Sequence, residues 1–311
     1  DEADIWCLMR LLIPTCPSND SEKPPRSTQA KVDAALRSNP VLVHLVRLKE
    51  WLETITKPFI PAEIRKSTVP TGAGQEEALY LDPDSMAWKL DPLDADYEEA
   101  QLQTLWNYLR RGKIQDAIAW CFQVDQPWRA AILSGGFLAS DPLLDGIDGP
   151  VSGNPKRDVW KSSIRSLIES SSSTCERAVY GCLIGDLTSS ELLCRDWKDL
   201  LWALVNSILE QSIHDIFLVG RCDSQKALRL LEAGFERIKG TSPGLKYGAA
   251  FCLVQFLVLL GSRPLAIETV QFTNPEDVRL VAVALLILDR FSSLQVDPAH
   301  LDSVLGGPYL A

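Results

Sequence analysis

Apolar residues recur along this chain at the three- and four-residue spacing of a helix. Val41, Leu45, Leu48, Leu52 and Ile55 share one helical face. Pro58 and Pro61 follow, and neither can donate the next backbone hydrogen bond, so the helix is predicted to stop before them. Leu102, Leu105, Trp106 and Leu109 mark a second stripe. Ile114, Ala117, Ile118, Cys121 and Phe122 mark a third, with Arg111-Gly112-Lys113 as the break between the two. Neither helix can hide its stripe alone, so the pair is expected to pack antiparallel. Trp120 follows on the flank of the Ile118/Phe122 stripe, where its exposure decides whether it anchors a partner. A further helix is predicted to open near Pro127, where a missing N–H costs nothing, and to end with a cap at Gly135-Gly136.

Residues 140–156 are rich in glycine and proline and read as a surface loop. Later helices are predicted over 158–169, 175–184, 197–217, 224–238, 245–260, 264–270 and 275–291. The third of these, 197–217, carries a wide apolar face of Leu200, Leu201, Leu204, Val205, Ile208, Leu209, Ile213 and Phe217. The nearly unbroken apolar run 251–260 predicts a helix enclosed on all sides. Stretches 14–26 and 69–74 are full of helix breakers and read as loops or interruptions. The acidic run LDPDSMAWKLDPLDADYEE begins at Leu81, and its Asp94 and Asp96 suit a helix N-terminus just before the apolar run. No segment alternates cleanly enough to defend a sheet, and only 79–81 reads as locally extended.

The fold expected is therefore all-α, an irregular helical solenoid. No strict period runs through it, which argues against tetratricopeptide or ankyrin arrays. We expect a single elongated helical domain over 1–311. Within it, 1–75 holds the first helices with loops at about 14–26 and 56–75, 76–139 the first helical pair and the following helix, 140–156 the surface loop, and 157–311 the remaining helices.

Charge narrows the partners. The chain has 41 acidic and 31 basic residues among 311, a net charge of −10, and no block rich in lysine and arginine. A protein that follows a phosphate backbone needs a positive face, so nucleic acid is not an expected partner. Eight cysteines are present without a CxxC pair, and Cys121, Cys182 and Cys252 lie among helical apolar residues. That pattern favours reduced, intracellular thiols over a secreted, disulfide-bonded protein. The opening DEADIWCLMRLLIP is acidic where a signal peptide is basic, and its first residue is not Met, which reads as a start inside a longer chain. The most apolar stretches, 248–260 and 278–288, are shorter than the ~20 residues that cross a bilayer.

Candidate chemistry is sparse. His44, His214 and His300 are not at i,i+4 spacing, and no HExxH occurs. Gly146-Ile147-Asp148-Gly149-Pro150 lacks the setting of a dinucleotide site, no phosphate-binding GxxxxGK[ST] occurs, and Ser134-Gly135-Gly136 is not a nucleophile elbow. No catalytic, cofactor-binding or metal-ligating residue is assigned, and neither a cofactor nor a small-molecule substrate is expected. Nine tryptophans are present. Trp51, Trp106, Trp120, Trp128, Trp160, Trp197 and Trp202 fall in predicted helices, where they read as core, with one or two as anchors for a partner. The helix after the 140–156 loop has more apolar residues than one packing stripe needs. It makes Trp160, Ile164, Leu167 and Ile168, with the Phe137-Leu138 corner, a candidate protein interface; the alternative is that all six are core.

The segment YLRRGKIQDAIAWCFQVDQPWRAAILSGG, residues 108–136, resembles the most recognisable stretch of the nucleoporin family that includes the human 107 kDa and fungal 84 kDa subunits. GNPKRDVWKSSIR from Gly153 is similar to that family's GNPxRxxWK. ERAVYGCLIGDL and CRDWKDLLWALVNSILE resemble a third family run. The ordered matches span about 81–210, and the one departure noted is Asp116, where Glu is commoner. The resemblance implies a coatomer-like fold in which the chain makes a U-turn to form a trunk topped by a crown. It implies a scaffold subunit of the Y-shaped nuclear pore subcomplex at the nuclear envelope, supporting protein transport and mRNA export. Its implied partners are the 96/145C-type nucleoporin through the crown and the 133 kDa nucleoporin through a carboxy-terminal tail expected to be missing here. Membrane proximity would come only through the assembly. A vesicle-coat or tethering subunit is the alternative in the same structural class, and a helical enzyme the alternative in another.

Overall fold

The computed structural model describes Asp4, Cys7, Leu8 and residues 26–64, 92–146 and 148–241. Among the described residues the fold is all-α, ten helices and two 3-10 turns with no strand, and these residues fall into two compact units. The predicted helices at 245–260, 264–270 and 275–291, the extended 79–81 and most of the breaker-rich and acidic runs lie outside the described residues.

The first unit comprises Asp1–Ile55, Asp141–Gly149 and Arg195–Ala311. Its helix α1, Thr28–Ser38, starts on Ser27, whose hydroxyl accepts the Ala30 N–H at 3.2 Å. Helix α2, Pro40–Thr54, starts on Asn39, whose side-chain oxygen accepts from the N–H groups of Val41 and Leu42. Such caps satisfy donors that have no partner inside the helix. Leu42, Leu45, Leu48, Trp51 and Leu52 are buried, whereas Val41 and Ile55 at the stripe's two ends are half-buried.

Two further described helices belong to that unit. We number them α9, Trp197–Val219, and α10, Ser224–Thr241, in chain order after those of the second unit. Helix α9 packs against α1, α2 and α10. It buries Leu201, Trp202, Ala203, Leu204, Val205, Asn206, Ile208 and Leu209, while Leu200, Ile213 and Phe217 stay half-buried. A β-carbon on Gly234 of α10 would collide with Leu204, so glycine there permits close approach of the two helices. Polar ties reinforce the packing. Trp202 Nε1 donates to Glu53 at 3.1 Å, Trp51 Nε1 to the Asp4 carbonyl at 2.6 Å, and Asn39 Nδ2 to Ser224 Oγ at 2.6 Å.

The second unit comprises Thr56–Ser140 and Pro150–Cys194. It holds α3, Pro92–Arg110; α4, Ile114–Gln123; α5, Pro127–Ser134; α6, Arg157–Ser170; α7, Thr174–Ile184; and the short α8, Leu187–Ser190. Helix α3 begins upstream of the expected point, which places Asp94 and Asp96 inside its first turns and not ahead of it. Leu102, Leu105, Trp106 and Leu109 are buried as their spacing predicts, and Gly112 turns the chain with φ 68°.

Helix α4 differs from the expected stripe. Trp120 is buried at 6 % exposure and Phe122 stands out at 62 %. The cause is polar: the Trp120 indole N–H donates to Gln101 Oε1 on α3 at 3.0 Å. With Ala117, Trp120 and Cys121 turned inward, at i, i+3 and i+4, Phe122 falls about 100° further round the helix. Residues 57–64 form no regular element and are tied to α3: Ala62 N–H donates to Thr104 Oγ1, and Gln101 Nε2 to the Glu63 carbonyl.

Helix α7 packs against α3, α6 and α8 and buries Ala178, Val179, Tyr180 and Cys182. A β-carbon on Gly181 would lie 2.6 Å from Ser189 Cβ, so α8 rests on the α7 backbone. The apolar pattern predicts neither α1 nor α8. The 140–156 segment is more ordered than a plain loop. Ser140 and Ser152 exchange two backbone hydrogen bonds of 2.9 Å, and Pro142–Asp145 forms a 3-10 turn. The described cysteines Cys7, Cys121, Cys175, Cys182, Cys194 and Cys222 form no disulfide, and no described helix is long and apolar enough to cross a membrane.

Candidate interaction surface

The end of α5 and the start of α6 are clamped together by the residues of the GNPKRDVW motif. Gly153 has φ 79°, and a β-carbon there would collide with the Leu138 carbonyl, so only glycine fits without strain. Asn154 donates its backbone N–H to the Phe137 carbonyl and its Nδ2 to the Gly135 carbonyl, each at 2.9 Å. Its Oδ1 accepts from Lys156 N–H. Arg157, 4 % exposed, donates Nε to the Gly136 carbonyl at 2.7 Å and holds its guanidinium 5.8 Å from the Trp160 ring. Trp160 lies over Gly135 and Gly136, and its Nε1 donates to the Ile132 carbonyl at 3.0 Å. Gly135 caps α5 with φ −63°, an ordinary right-handed value. Glycine is therefore needed there for the ring and not for the turn.

Of the six expected interface residues, the clamp involves Phe137, Leu138 and Trp160. Phe137 and Leu138 follow the glycines on which Trp160 rests, and all three are half-buried, as is Leu167 further along α6. Ile164 and Ile168, 3 % and 7 % exposed, are part of the packing of α6 on α7. Val151, just ahead of the motif, and Val159, within it, are exposed apolar residues that apolar periodicity did not single out.

A second cluster surrounds Arg129 of the WRAA sequence. Its Nη1 reaches Glu98 Oε2 at 2.7 Å and Gln126 Oε1 at 2.5 Å, and its Nη2 lies 3.6 Å from Glu176. Gln126 in turn donates to Glu98 at 2.6 Å, and Ser171 Oγ to Glu176 at 2.6 Å. Burial alone would lower the guanidinium's proton affinity, but Glu98 and Tyr180 beside it hold it well above the usual range. Burial pushes the Tyr180 hydroxyl up to about 12 and the Cys121 thiol up to about 11. Both are neutral near pH 7, so Cys121 has none of the thiolate character a nucleophile needs. The cluster ties α3, α5 and α7 together and has no catalytic geometry.

In the first unit, a groove of about 270 Å³ between α1 and α2 is lined by Asp33, Leu36, Arg37, Val43, Val46, Arg47 and Glu50. Nearby His44 is pushed below its ordinary value by burial and then by Arg47. Among the described residues no group of three or more His, Cys, Asp or Glu is placed to hold a metal ion.

Comparison with known proteins sets this geometry in a family. The family described as nuclear pore protein 84 / 107 matches residues 1–230. The mouse nuclear pore complex protein Nup107 is 30 % identical over 261 residues, covering 72 % of this chain and 27 % of that protein. Nucleoporin nup107 of Schizosaccharomyces pombe is 26 % identical over 257 residues, covering 72 % of this chain and 32 % of its own length. Nucleoporin NUP84 of Chaetomium thermophilum is 32 % identical over 145 residues, 45 % of this chain and 15 % of that protein. The chain thus spans less than a third of the length of each of these relatives. The WRAA cluster and the GNPxR clamp fall inside the matched region, and the chain belongs to the nuclear pore protein 84 / 107 family.

Proposed function

We propose that this chain is a structural scaffold subunit of the nuclear pore complex, part of the Y-shaped subcomplex of its outer ring, and that it works through helical surfaces without a catalytic site. The observation that carries the reading is the α5–α6 corner. There a dense set of hydrogen bonds holds Phe137, Leu138 and Trp160 half-buried, with Leu167 along the same helix. Rigidly held, partly uncovered apolar side chains within a polar rim are what a subunit interface uses. Ile164 and Ile168 support that surface from inside. Its occupant is the 96/145C-type nucleoporin, while the 133 kDa nucleoporin is bound through the family's carboxy-terminal tail. Protein transport and mRNA export depend on the chain through the integrity of that assembly.

The test is to mix this chain with the 96/145C-type nucleoporin at micromolar concentration and follow size exclusion with light scattering. One peak of summed mass is expected, and Leu138→Arg should split it while leaving helicity unchanged. Two separate peaks for the unaltered chain would overturn the assignment.

A further inference from the structure

Phe122, near the end of α4, and Trp128, in the first turn of α5, are the two exposed aromatic residues among the described residues, at 62 % and 43 %, and they flank the turn that joins the two helices. Asp125 lies between them, three residues from each. The backbone makes this turn compact: Asp125 N–H donates to the Phe122 carbonyl at 3.3 Å and Gln126 N–H to the Cys121 carbonyl at 2.8 Å. Its inner side is fixed, because Gln126 and Arg129 are buried and bonded to Glu98. Phe122, Asp125 and Trp128 are all exposed at three-residue intervals through the turn, and the exposed small residues Ala119 and Ala131 follow at the same interval along each helix.

Charge selects what can cover this face. The turn's basic residue, Arg129, points inward with a side chain 8 % exposed, so the exposed charged residue between Phe122 and Trp128 along the chain is Asp125. A purely apolar partner would strip water from that carboxylate without replacing its hydrogen bonds. An acidic partner would repel it, and a second copy of this chain brings a net charge of −10.

We propose that the outer face of the α4–α5 turn docks a segment of another protein that carries an arginine or lysine beside an apolar side chain. The cation pairs with Asp125 and lies against the Trp128 ring, while the apolar neighbour packs on Phe122. This goes beyond the scaffold role and beyond the α5–α6 corner, and it stands or falls on a separate measurement.

The experiment places photoreactive benzoylphenylalanine at position 122 in the native protein within its assembly, followed by irradiation and mass spectrometry of the adducts. The expected adduct lies on a different protein, with an arginine or lysine within one helical turn of the linked residue. Asp125→Asn, which keeps a side chain suited to the left-handed φ of 58°, should lower its yield about fivefold. Trp128→Ala should lower it about tenfold or more. An adduct on a segment lacking a basic residue, on a second copy of this chain or on lipid would overturn the proposal. So would a yield no higher than that from the same probe at exposed Ser163. The 96/145C-type association is read independently, so the two assignments can fail separately.

Discussion

The indole ring of Trp160 fills the place that a β-carbon on Gly135 would take, although the two residues are on different helices. Gly135→Ala should therefore displace the ring and break its hydrogen bond to Ile132, a destabilisation of about 1–3 kcal/mol. Gly220, with φ 76° and nothing within 4 Å of a β-carbon, is the control. Alanine there bears only the left-handed strain, about 1 kcal/mol. Urea denaturation of both variants compares the two; equal effects would contradict the close packing of Trp160.

Removing the charge at Arg129 should be more damaging. Arg129→Met removes the cation that Glu98 and Glu176 share in a partly buried site, and breaking such a pair costs about 3 kcal/mol or more. Glu98→Gln in the same background should restore part of the loss, since it removes one of the uncompensated charges. A double-mutant cycle by thermal denaturation would measure the coupling.

Alkaline pH should loosen the second unit. Cys121 rises from 9.0 to about 11 and Tyr180 from 10.0 to about 12 on folding, so the folded state holds protons that the unfolded state has released. Stability from these groups is complete below pH 9 and is lost as pH climbs through 11 to 12. A Tm that falls over this window, less steeply in Cys121→Ala, is the expected outcome.

The inward turn of Trp120 also makes a prediction. Gln101→Leu removes the acceptor for its indole N–H and should cost about 1–3 kcal/mol. Phe122→Ala should change stability by less than about 1 kcal/mol, because that ring is mostly in solvent. If the two costs were reversed, the face that α4 buries would be the one its apolar spacing first suggested.

Periodicity alone located most of the helices because long stripes such as that of α9 leave little ambiguity. It missed α1, TQAKVDAALRS, whose single buried residue is Val32, since a helix with so thin a stripe has no clear period. It misplaced Phe122 for a different reason. The neighbouring positions 117, 118, 121 and 122 are all apolar, and the choice between two overlapping faces was made by Gln101, which lies on another helix. The glycines at 135 and 136 looked like a cap, yet what requires the first of them is a ring 25 positions away in the sequence. Family motifs were readable as strings, but their purpose, clamping and charge neutralisation, depends on contacts that no spacing rule contains.

Asn39 grips two helix starts at once, its oxygen holding the first turn of α2 and its amide nitrogen the opening residue of α10. One small side chain thereby links the fraying of segments some 185 positions apart. Amide protons in the two opening turns should exchange with water in step, and both should accelerate together when that single side chain is shortened.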